Sequence, residues 1–418
     1  MQPFYKRIEK FGEAMSKDTS DMKYAVVITD GAAGEPLPEY NGKTTLEQAV
    51  TPHLDALARE GIVGRAKTVP DDLEPSSNVA CTSICGYDPA LYPIGRGALE
   101  GAALGINLAD DEVALRLNLT NVSPEGIMMS YSTDNISAAD GSALIAELKE
   151  ALDDETFTLH DGTGFRGSLV VKGHPQLMET WSPEAHNISD EPVADYPPRG
   201  PEAALLMEYQ QRAHEILATS PTNARRKQEG KLEATDVFLF WPGQRPGNMQ
   251  PFFSVYGKTA GMLSGVDLLN GIAFLAEVKP YHFEGITDGP DNDYAAQGEG
   301  TLSMLAEKDV VICHVESPDA EGHDGNAPGK VAAIEAIDRE ILSRLRDYAK
   351  THPLRILVTP DHPTPVAHKR HTRDLVPFVM SGPGIAPNAG ERLTENEGIK
   401  TGFEVNPGYG LMALLLSD

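Results

Sequence analysis

The sequence predicts an α/β protein built on a mostly parallel sheet with flanking helices. Three apolar, β-branched runs carry this prediction, at residues 23–30, 309–314 and 354–359. Such runs are typical of buried parallel strands, and helical patterns separate them along the chain. Acidic residues or histidines end or follow each run. Because ligands of open α/β sheets bind at the carboxyl ends of the strands, we expect these polar residues to share one edge.

The first elements follow directly from the residue pattern. Residues 23–30 (KYAVVITD) predict a buried strand that ends in Asp30. Residues 45–60 have a helical pattern that Pro52 interrupts, so a second helix is expected to begin there.

The middle of the chain has a different composition. Helices are predicted at 141–152 and 203–218, two strands within 156–172, and a long loop at 174–202, which is rich in Pro, Asp and Glu. A strand predicted at 236–241 (DVFLFW) is interpreted as the return of the main sheet. We therefore divide the chain into an N-terminal arm (1–21), a discontinuous sheet domain (22–95 and 230–418) and an inserted α+β cap domain (96–229).

The C-terminal part repeats the pattern of strand followed by polar cluster. An amphipathic helix at 329–350 is predicted between the strands at 309–314 (DVVICH) and 354–359 (LRILVT). Residues 376–381 (VPFVMS) predict one more strand. Alternation of strands and helices favours parallel pairing.

Composition narrows the possible partners. The 62 acidic and 35 basic residues give a formal net charge of −27, which argues against nucleic acid and anionic membranes. An anionic substrate must then be attracted by bound metal or a few arginines. No apolar run reaches the roughly 18 residues of a membrane span, and the N-terminus does not resemble a secretory signal. Cys81, Cys85 and Cys313 are predicted to be reduced thiols of a cytoplasmic protein.

Aspartates and histidines at the strand ends form a candidate metal site. Carboxylate oxygens and imidazole nitrogens suit both Zn²⁺ and Mn²⁺. Any one of these residues could instead be a helix cap or a satisfied polar group, so the hypothesis depends on their order and combination. The candidate ligands are Asp30, Asp319, His323, Asp361, His362 and His371.

A serine pair supplies the candidate nucleophile. Ser76 and Ser77 lie where a loop is expected to lead into a helix, which would expose a hydroxyl beside backbone N–H groups that can bind phosphate. The alternative is that either serine only caps the helix. A two-metal site beside such a hydroxyl is suited to phosphoryl transfer.

The order of these motifs resembles one family. VVITDG, PSSNVACTSICGYDP, IGRGALEGAALGINL, HVESPDAEGHDGN, TPDHPTP and RHTRDLVPF, spread over about residues 22–385, are similar to cofactor-independent phosphoglycerate mutases. The likeness is to their archaeal-type branch, which includes bacterial proteins labelled proposed homoserine kinases. The family belongs to the alkaline-phosphatase-like metalloenzymes, so the resemblance implies an alkaline-phosphatase-like fold.

The resemblance also implies residue roles. Ser77 matches the nucleophile that takes phosphate from 3-phosphoglycerate and returns it to the other hydroxyl, without bisphosphoglycerate or nucleotide. Two divalent ions (Mn²⁺, Mg²⁺ or Zn²⁺) are implied, one held by Asp30, Ser77, Asp361 and His362, the other by Asp319, His323 and His371. Arg96 and Arg116 match substrate-binding arginines, and Arg166, Arg245 and Lys258 are further candidates for binding the anionic substrate.

Three departures from the family pattern keep other functions open. Asn78 replaces an aspartate after Ser77, residues 129–136 lack arginines found in many archaeal-type mutases, and Gln297 replaces a common lysine. Mutase activity is the leading hypothesis. The alternatives are another phosphotransferase or phosphomonoester hydrolase on the same metal core, including a homoserine kinase-like enzyme, or a catalytically weak protein that keeps its metals. No Gly-rich loop of the ATP-binding type accompanies the kinase alternative.

Overall fold

The computed structural model describes residues 22–92, 95–245 and 249–417, so the predicted N-terminal arm lies outside them. The chain divides into two units, one made of residues 1–93 and 249–418, the other of residues 94–248. Among the described helices, none combines the length and apolar composition that a membrane crossing requires.

The strands form two sheets, one of eight strands and one of five. In chain order, the strands within the described residues are β1 (Lys23–Thr29), β2 (Ile62–Ala66), β3 (Glu112–Val122), β4 (Met128–Ser130), β5 (Phe157–Asp161), β6 (Arg166–Lys172), β7 (Asp236–Gln244), β8 (Ala260–Leu263), β9 (Lys279–Tyr281), β10 (Val310–Val315), β11 (Leu354–Thr359), β12 (Val376–Ser381) and β13 (Glu404–Val405).

Helices connect most of these strands. The α-helices of the same residues are α1 (Thr45–Gln48), α2 (Pro52–Glu60), α3 (Ser77–Ile84), α4 (Arg96–Ala103), α5 (Ala138–Leu152), α6 (Ala203–Leu217), α7 (Pro221–Gln228), α8 (Phe252–Tyr256), α9 (Asp267–Leu275), α10 (Tyr294–Glu307), α11 (Ser317–Asp324), α12 (Ala327–Ala336), α13 (Ser343–Ala349), α14 (Glu395–Thr401) and α15 (Gly410–Leu416).

The first unit contains an eight-stranded sheet in the order β13-β2-β12-β11-β1-β10-β8-β9. β1 pairs in parallel with β10 and with β11. Every residue of β10 and β11 is buried, which explains why these segments read as continuous apolar runs. β12 pairs antiparallel with β11 and β2, so the sheet is mostly rather than wholly parallel, as predicted.

The register of the central strands places their carboxyl ends in line. Thr29 pairs with Val315, and Ile28 pairs with Thr359. The residues that follow β1, β10 and β11 therefore emerge side by side at one edge of the sheet. The sequence analysis predicted this shared edge from the aspartates at the strand ends.

The helix predicted at 329–350 forms with one irregularity. It consists of α12 and α13 joined by a π-helical segment at Ile337–Leu342. Asp338 in this segment accepts a 2.7 Å hydrogen bond from the backbone N–H of Leu54, in the first turn of α2. The wider turn thus supplies a cap to a helix whose own N-cap residue makes no side-chain cap.

The second unit contains an antiparallel sheet in the order β4-β3-β6-β5, with β7 on the other side of β3. α5 and α6 contribute to its core through Leu144, Leu148 and Tyr209. β7 hydrogen-bonds along most of β3, so residues 236–241 do not return to the main sheet. The second unit consequently ends at Asn248, after the predicted boundary near residue 230.

Candidate metal centre and active site

Four carboxylates meet at the carboxyl edge of the main sheet. Asp30 follows β1, Glu316 and Asp319 follow β10, and Asp361 follows β11. Asp30 and Asp361 are fully buried, and Asp319 is 4% exposed. Since burying an unpaired charge is costly, such a group requires compensation by cations.

The first cluster surrounds Asp361. His362 Nε2 lies 3.1 Å from Asp361 Oδ2 and 3.8 Å from Asp30 Oδ1. Ser77 Oγ lies 3.2 Å from the same His362 nitrogen. The backbone N–H groups of Gly31 and His362 donate to Asp361 Oδ1 and fix that carboxylate. Ser77 is the first residue of α3, whereas the Ser76 hydroxyl donates to the Glu74 carbonyl.

The second cluster surrounds Asp319. His323 Nε2 lies 3.2 Å from Asp319 Oδ2, and His371 Nε2 lies 3.6 Å from Asp319 Oδ1. The two imidazole Nε2 atoms are only 2.8 Å apart. His323 and Asp319 share a face of α11 because they are four residues apart. Three donor atoms therefore converge on one point.

The three histidines are all held through Nδ1. His323 Nδ1 donates to the Lys369 carbonyl at 2.9 Å, and His371 Nδ1 donates to the Pro75 carbonyl at 3.2 Å. His362 Nδ1 lies 3.3 Å from the Thr364 hydroxyl, which itself donates to Asp319. The Thr364 oxygen accordingly accepts from His362. In each case Nε2 is turned toward the carboxylates, as the hydrogen-bond partners of metal-binding histidines orient them, and it can bind a metal ion once it carries no proton.

The two clusters are neighbours. The rings of His362 and His371 stack with centroids 3.8 Å apart, and Thr364 contacts one member of each cluster. A cation in one cluster would lie close enough to act on the same substrate group as a cation in the other.

Burial and mutual repulsion alter the acidity of this edge. Burial raises the pKa of Asp30 well above its usual range, and the carboxylates of Asp361, Glu316 and Asp319 raise it further. Burial, with Asp319 and Asp361, raises the pKa of Glu316 to about 8. Burial lowers the pKa of His362. These shifts describe a site that is short of positive charge.

Asp319 and His323 form the one strongly ionised pair. Burial alone would raise the pKa of Asp319, but hydrogen bonds from His323 and His371 hold it well below its usual value. The hydrogen bond to Asp319 raises the pKa of His323 to about 9. A metal ion that binds here must therefore displace a proton from His323.

The donors fit divalent metal ions. The buried Asp30 Oδ1 has no hydrogen-bond partner among the described residues, although it lies beside a histidine Nε2. Within the described chain, sets of three potential ligand atoms lie within 4.8 Å of one another, namely Asp30/Asp361/His362, Asp319/His323/His371 and Asp30/Cys81/His314. The mixture of carboxylate oxygen and imidazole nitrogen is typical of sites for Mn²⁺ or Zn²⁺.

A glycine and a buried lysine shape this edge. Gly31 has φ +59°, and a methyl group there would lie 2.3 Å from Asp319 Oδ1. Lys330 is fully buried and donates to the carbonyl oxygens of Ala33 and Thr364, at 3.1 Å and 2.7 Å. Burial lowers the pKa of this lysine to about 8. It thus ties the loop after β1 to the loop after β11.

The site predicted from the sequence did not include three residues that lie at this edge, namely His314, Glu316 and Thr364. His314 Nε2 lies 2.7 Å from Asp30 Oδ2. Its position at the end of the run DVVICH was a usable signal, because a polar residue at the end of a buried strand faces the ligand edge. Glu316 and Thr364 carried no comparable signal.

Gln297, which departs from the family pattern, and the three cysteines are buried. Gln297 is 1% exposed and donates to the His314 carbonyl at 2.6 Å. Its side chain thus fixes the backbone near the end of β10. Cys81, Cys85 and Cys313 are all buried free thiols. Cys81 Sγ lies 3.7 Å from Asp361 Oδ2.

The second unit brings predicted arginines together. Arg96 and Arg116 share Glu100, at 3.2 Å and 3.0 Å, and the Arg96 guanidinium stacks 3.6 Å from the Trp241 ring centroid. Burial lowers the pKa of Arg116, and nearby Arg166 and Arg96 lower it further. Positive charge therefore exceeds negative charge around Glu100.

The two remaining candidates stand apart from these groups. Arg245 is exposed and donates to Asn107 at 3.2 Å. Lys258 lies 5.6 Å from the ring centroid of Tyr24, near the amino end of β1. That is the edge of the main sheet opposite to the aspartates. The structure therefore does not bring Lys258 to the candidate site, because its loop leads into the start of β8 rather than following the end of a strand.

Comparison with known proteins gives the family. The family model for 2,3-bisphosphoglycerate-independent phosphoglycerate mutase matches residues 58–223. A protein of Geobacter sulfurreducens, named a probable 2,3-bisphosphoglycerate-independent phosphoglycerate mutase, is 37% identical over 400 residues, which are 94% of this chain and 100% of the relative. The chain belongs to this mutase family. A mutase of Methanosarcina barkeri, 38% identical over 86% of this chain and 90% of its own length, agrees.

Solved structures share the fold of this chain. The PH0037 protein of Pyrococcus horikoshii matches with TM-score 0.77 and 26% identity, covering 95% of this chain and 97% of that one. The cofactor-independent phosphoglycerate mutase of Thermoplasma acidophilum matches with TM-score 0.65 and 22% identity, covering 94% and 98%. The family resemblance and the predicted α/β fold are confirmed.

Proposed function

We propose that this protein is a metal-dependent phosphoglycerate mutase. It interconverts 3-phosphoglycerate and 2-phosphoglycerate through a phosphoserine on Ser77, without bisphosphoglycerate. The observation that carries the proposal is the Ser77 hydroxyl, 3.2 Å from His362 Nε2, beside two Asp/His clusters. Membership of the mutase family supports the choice of substrate.

The chain's own residues divide the work. Ser77 Oγ attacks the phosphorus of 3-phosphoglycerate, a P–O bond to serine forms, and the bond to the glycerate oxygen breaks. The glycerate then turns within the site, and its other hydroxyl takes the phosphoryl group back from Ser77. Ser77 begins α3, and the backbone N–H groups of a first helical turn are donors that can bind phosphate oxygens.

Two divalent ions complete the proposed site. Asp30, Ser77, Asp361 and His362 would hold one of them, and Asp319, His323 and His371 would hold the other. When bound, such ions lower the pKa of a coordinated hydroxyl and offset the negative charge of the transferring phosphoryl group. Nitrogen donors in both sets favour Mn²⁺ or Zn²⁺ over Mg²⁺.

Arginines of the second unit are proposed to bind the substrate's anionic groups. Arg96 and Arg116 share one carboxylate, so their combined charge is not neutralised, and Arg166 adds to it. Arginine binds phosphate and carboxylate in a two-pronged geometry that lysine lacks. Arg245 is a weaker candidate, because among the described residues its guanidinium is hydrogen-bonded to Asn107 and not grouped with the other arginines.

Replacing Arg116 by lysine tests that role. We expect Arg116→Lys to raise the KM for 3-phosphoglycerate about tenfold or more, with a smaller change in kcat, because ground-state binding is lost. Steady-state kinetics give both constants, and circular dichroism checks the fold. Arg59→Lys, at an exposed position on α2, is the matched control. An unchanged KM in Arg116→Lys would remove this residue from the substrate site.

Formation of 2-phosphoglycerate tests the proposed function itself. The protein is purified with Mn²⁺, given 3-phosphoglycerate without bisphosphoglycerate, and coupled to enolase. We expect enolase product to appear only when all components are present. Release of inorganic phosphate without enolase product would instead identify a phosphatase. Phosphorylation of homoserine by ATP would identify a kinase.

The proposal includes a cellular setting. The proposed substrate of the protein is a small phosphorylated acid of glycolysis. The three buried free thiols support a cytoplasmic location. The net charge of −27 supports the absence of nucleic-acid and anionic membrane partners.

A further inference from the structure

His314 lies behind the candidate metal ligands rather than among them. It is the fifth residue of β10 (VVICHV) and is 1% exposed. Its Nε2 lies 2.7 Å from Asp30 Oδ2, and its Nδ1 lies 3.0 Å from Ser264 Oγ. Both ring nitrogens are therefore engaged by neighbours.

The hydrogen bonds around Ser264 assign the histidine tautomer. Ser264 Oγ accepts a 3.0 Å hydrogen bond from the backbone N–H of Val266. Among the described residues, His314 Nδ1 is the acceptor available to the serine proton, so Ser264 donates to it. The ring proton of neutral His314 then resides on Nε2 and is donated to Asp30 Oδ2.

This tautomer is the reverse of that of the three candidate ligands. His323, His371 and His362 each use Nδ1–H toward an oxygen and turn Nε2 to the site, where a metal ion would take the place of any proton on that nitrogen. His314 turns an N–H instead. It is therefore equipped to hold a carboxylate and not to ligate a metal, which argues against an independent metal site built from Asp30, Cys81 and His314.

The main chain of His314 is also held. Gln297 Nε2 donates to the His314 carbonyl at 2.6 Å, and Asn292 Nδ2 donates to Gln297 Oε1 at 2.8 Å. Both of these side chains are buried. Side chain and backbone of His314 are thus restrained from two directions, as the support of an active site requires.

We propose that His314 is a positioning residue that orients Asp30 for metal binding. By occupying Oδ2, it leaves the partnerless Asp30 Oδ1 as the atom that faces His362 and the first cluster. Ser264 fixes the histidine tautomer, and Gln297 fixes its backbone. The inference depends on the proposed function, because it assumes that Asp30 ligates one of the two ions.

Metal binding to the purified full-length protein tests this role. Mn²⁺ is titrated calorimetrically into metal-free wild type, His314→Phe, His314→Gln, Ser264→Ala and Asp30→Asn. We expect His314→Phe to bind one ion as wild type does and the other about 10–100-fold more weakly, as for other outer-shell partners of metal ligands. His314→Gln should restore most of this loss, because its amide N–H can reach Asp30. His352→Phe, at an exposed position on the surface, is the control.

The outcomes separate this role from a merely structural one and from failure of the site. A structural role would weaken both ions alike, and His314→Gln would not rescue binding. If Asp30→Asn loses one ion but His314→Phe binds both as wild type, the positioning role is overturned and the site stands. If Asp30→Asn keeps both ions, the proposed site itself fails. Should His314→Phe not fold, Ser264→Ala decides, since wild-type affinity for both ions would overturn the role.

Discussion

Ser77→Ala is expected to reduce kcat by at least about 10⁴-fold, because removal of a covalent nucleophile leaves only binding and electrostatic effects. The Ser77 hydroxyl lies 3.2 Å from His362 Nε2, and no other serine side chain among the described residues contacts that histidine. Alanine favours helix, so α3 should still begin at this position.

Ser76→Ala is the matched control for this experiment. Its hydroxyl donates to the Glu74 carbonyl at 3.3 Å rather than contacting His362. We expect kcat within about threefold of wild type, since a partly exposed hydrogen bond contributes only about 1 kcal/mol to stability. Activity lost in Ser76→Ala and kept in Ser77→Ala would move the nucleophile to Ser76. Wild-type protein is incubated with 3-phosphoglycerate, and the reaction is then quenched. Mass spectrometry should find phosphate only at Ser77.

Removal of divalent metal is expected to abolish activity and to destabilise the fold. Ions that bind only the folded protein stabilise it by about 4 kcal/mol when free metal is about 1,000 times Kd. Chelation also leaves the buried carboxylates of Asp30, Asp361 and Glu316 without a cation; burial first, and then their mutual repulsion, raises the pKa of Asp30. Thermal unfolding with and without chelator measures the difference, and added Mn²⁺ should reverse it.

Acid should weaken the same metal binding. The pKa of His323 is raised to about 9 by its hydrogen bond with Asp319, so near neutral pH a proton competes with the metal for this ligand. Apparent affinity should therefore rise as the pH rises toward 9. An affinity independent of pH over this range would remove His323 from the ligand set.

Asp361→Asn separates charge from shape in this test. An asparagine oxygen can still accept the backbone N–H groups of Gly31 and His362, so the fold should persist. The variant should lose one ion and most activity, yet its metal-free form should be at least as stable as metal-free wild type, because one buried charge is gone. Full activity in this variant would contradict the proposed site.

The convergence of the candidate ligands was predictable because most of them follow strand ends. Asp30, Asp319 and Asp361 follow apolar runs. Parallel pairing in register brings such positions together independently of the conformation of the connecting loops. His323 and His371 were candidates through their spacing from Asp319 and Asp361, although their approach depends on α11 and on a Pro-rich loop. His314 could have been found by the same strand-end argument.

The assignment of residues 236–241 to the main sheet was wrong because strand pairing depends on residues far apart in the sequence. Residues 236–241 are equally suited to either sheet, and their pairing with β3, more than a hundred residues earlier, leaves no local mark. Lys258 was chosen for its charge alone, while its position depends on the loop before β8. The π-helical segment at 337–342 keeps the apolar periodicity of the helix around it, so its wider turn is not visible in the pattern.

The inserted unit begins and ends at the same place. Gly95 precedes α4, Gly243 lies near the end of β7, and a methyl group on Gly95 would lie 2.6 Å from Gly243 Cα. A segment whose two ends leave side by side can be exchanged as one cassette without re-routing the host chain. Recombination could therefore have replaced all of the arginines near Glu100 in a single event, leaving the aspartates of the main sheet untouched. On the proposed roles of these residues, substrate choice and metal chemistry would be encoded in separate segments of this chain.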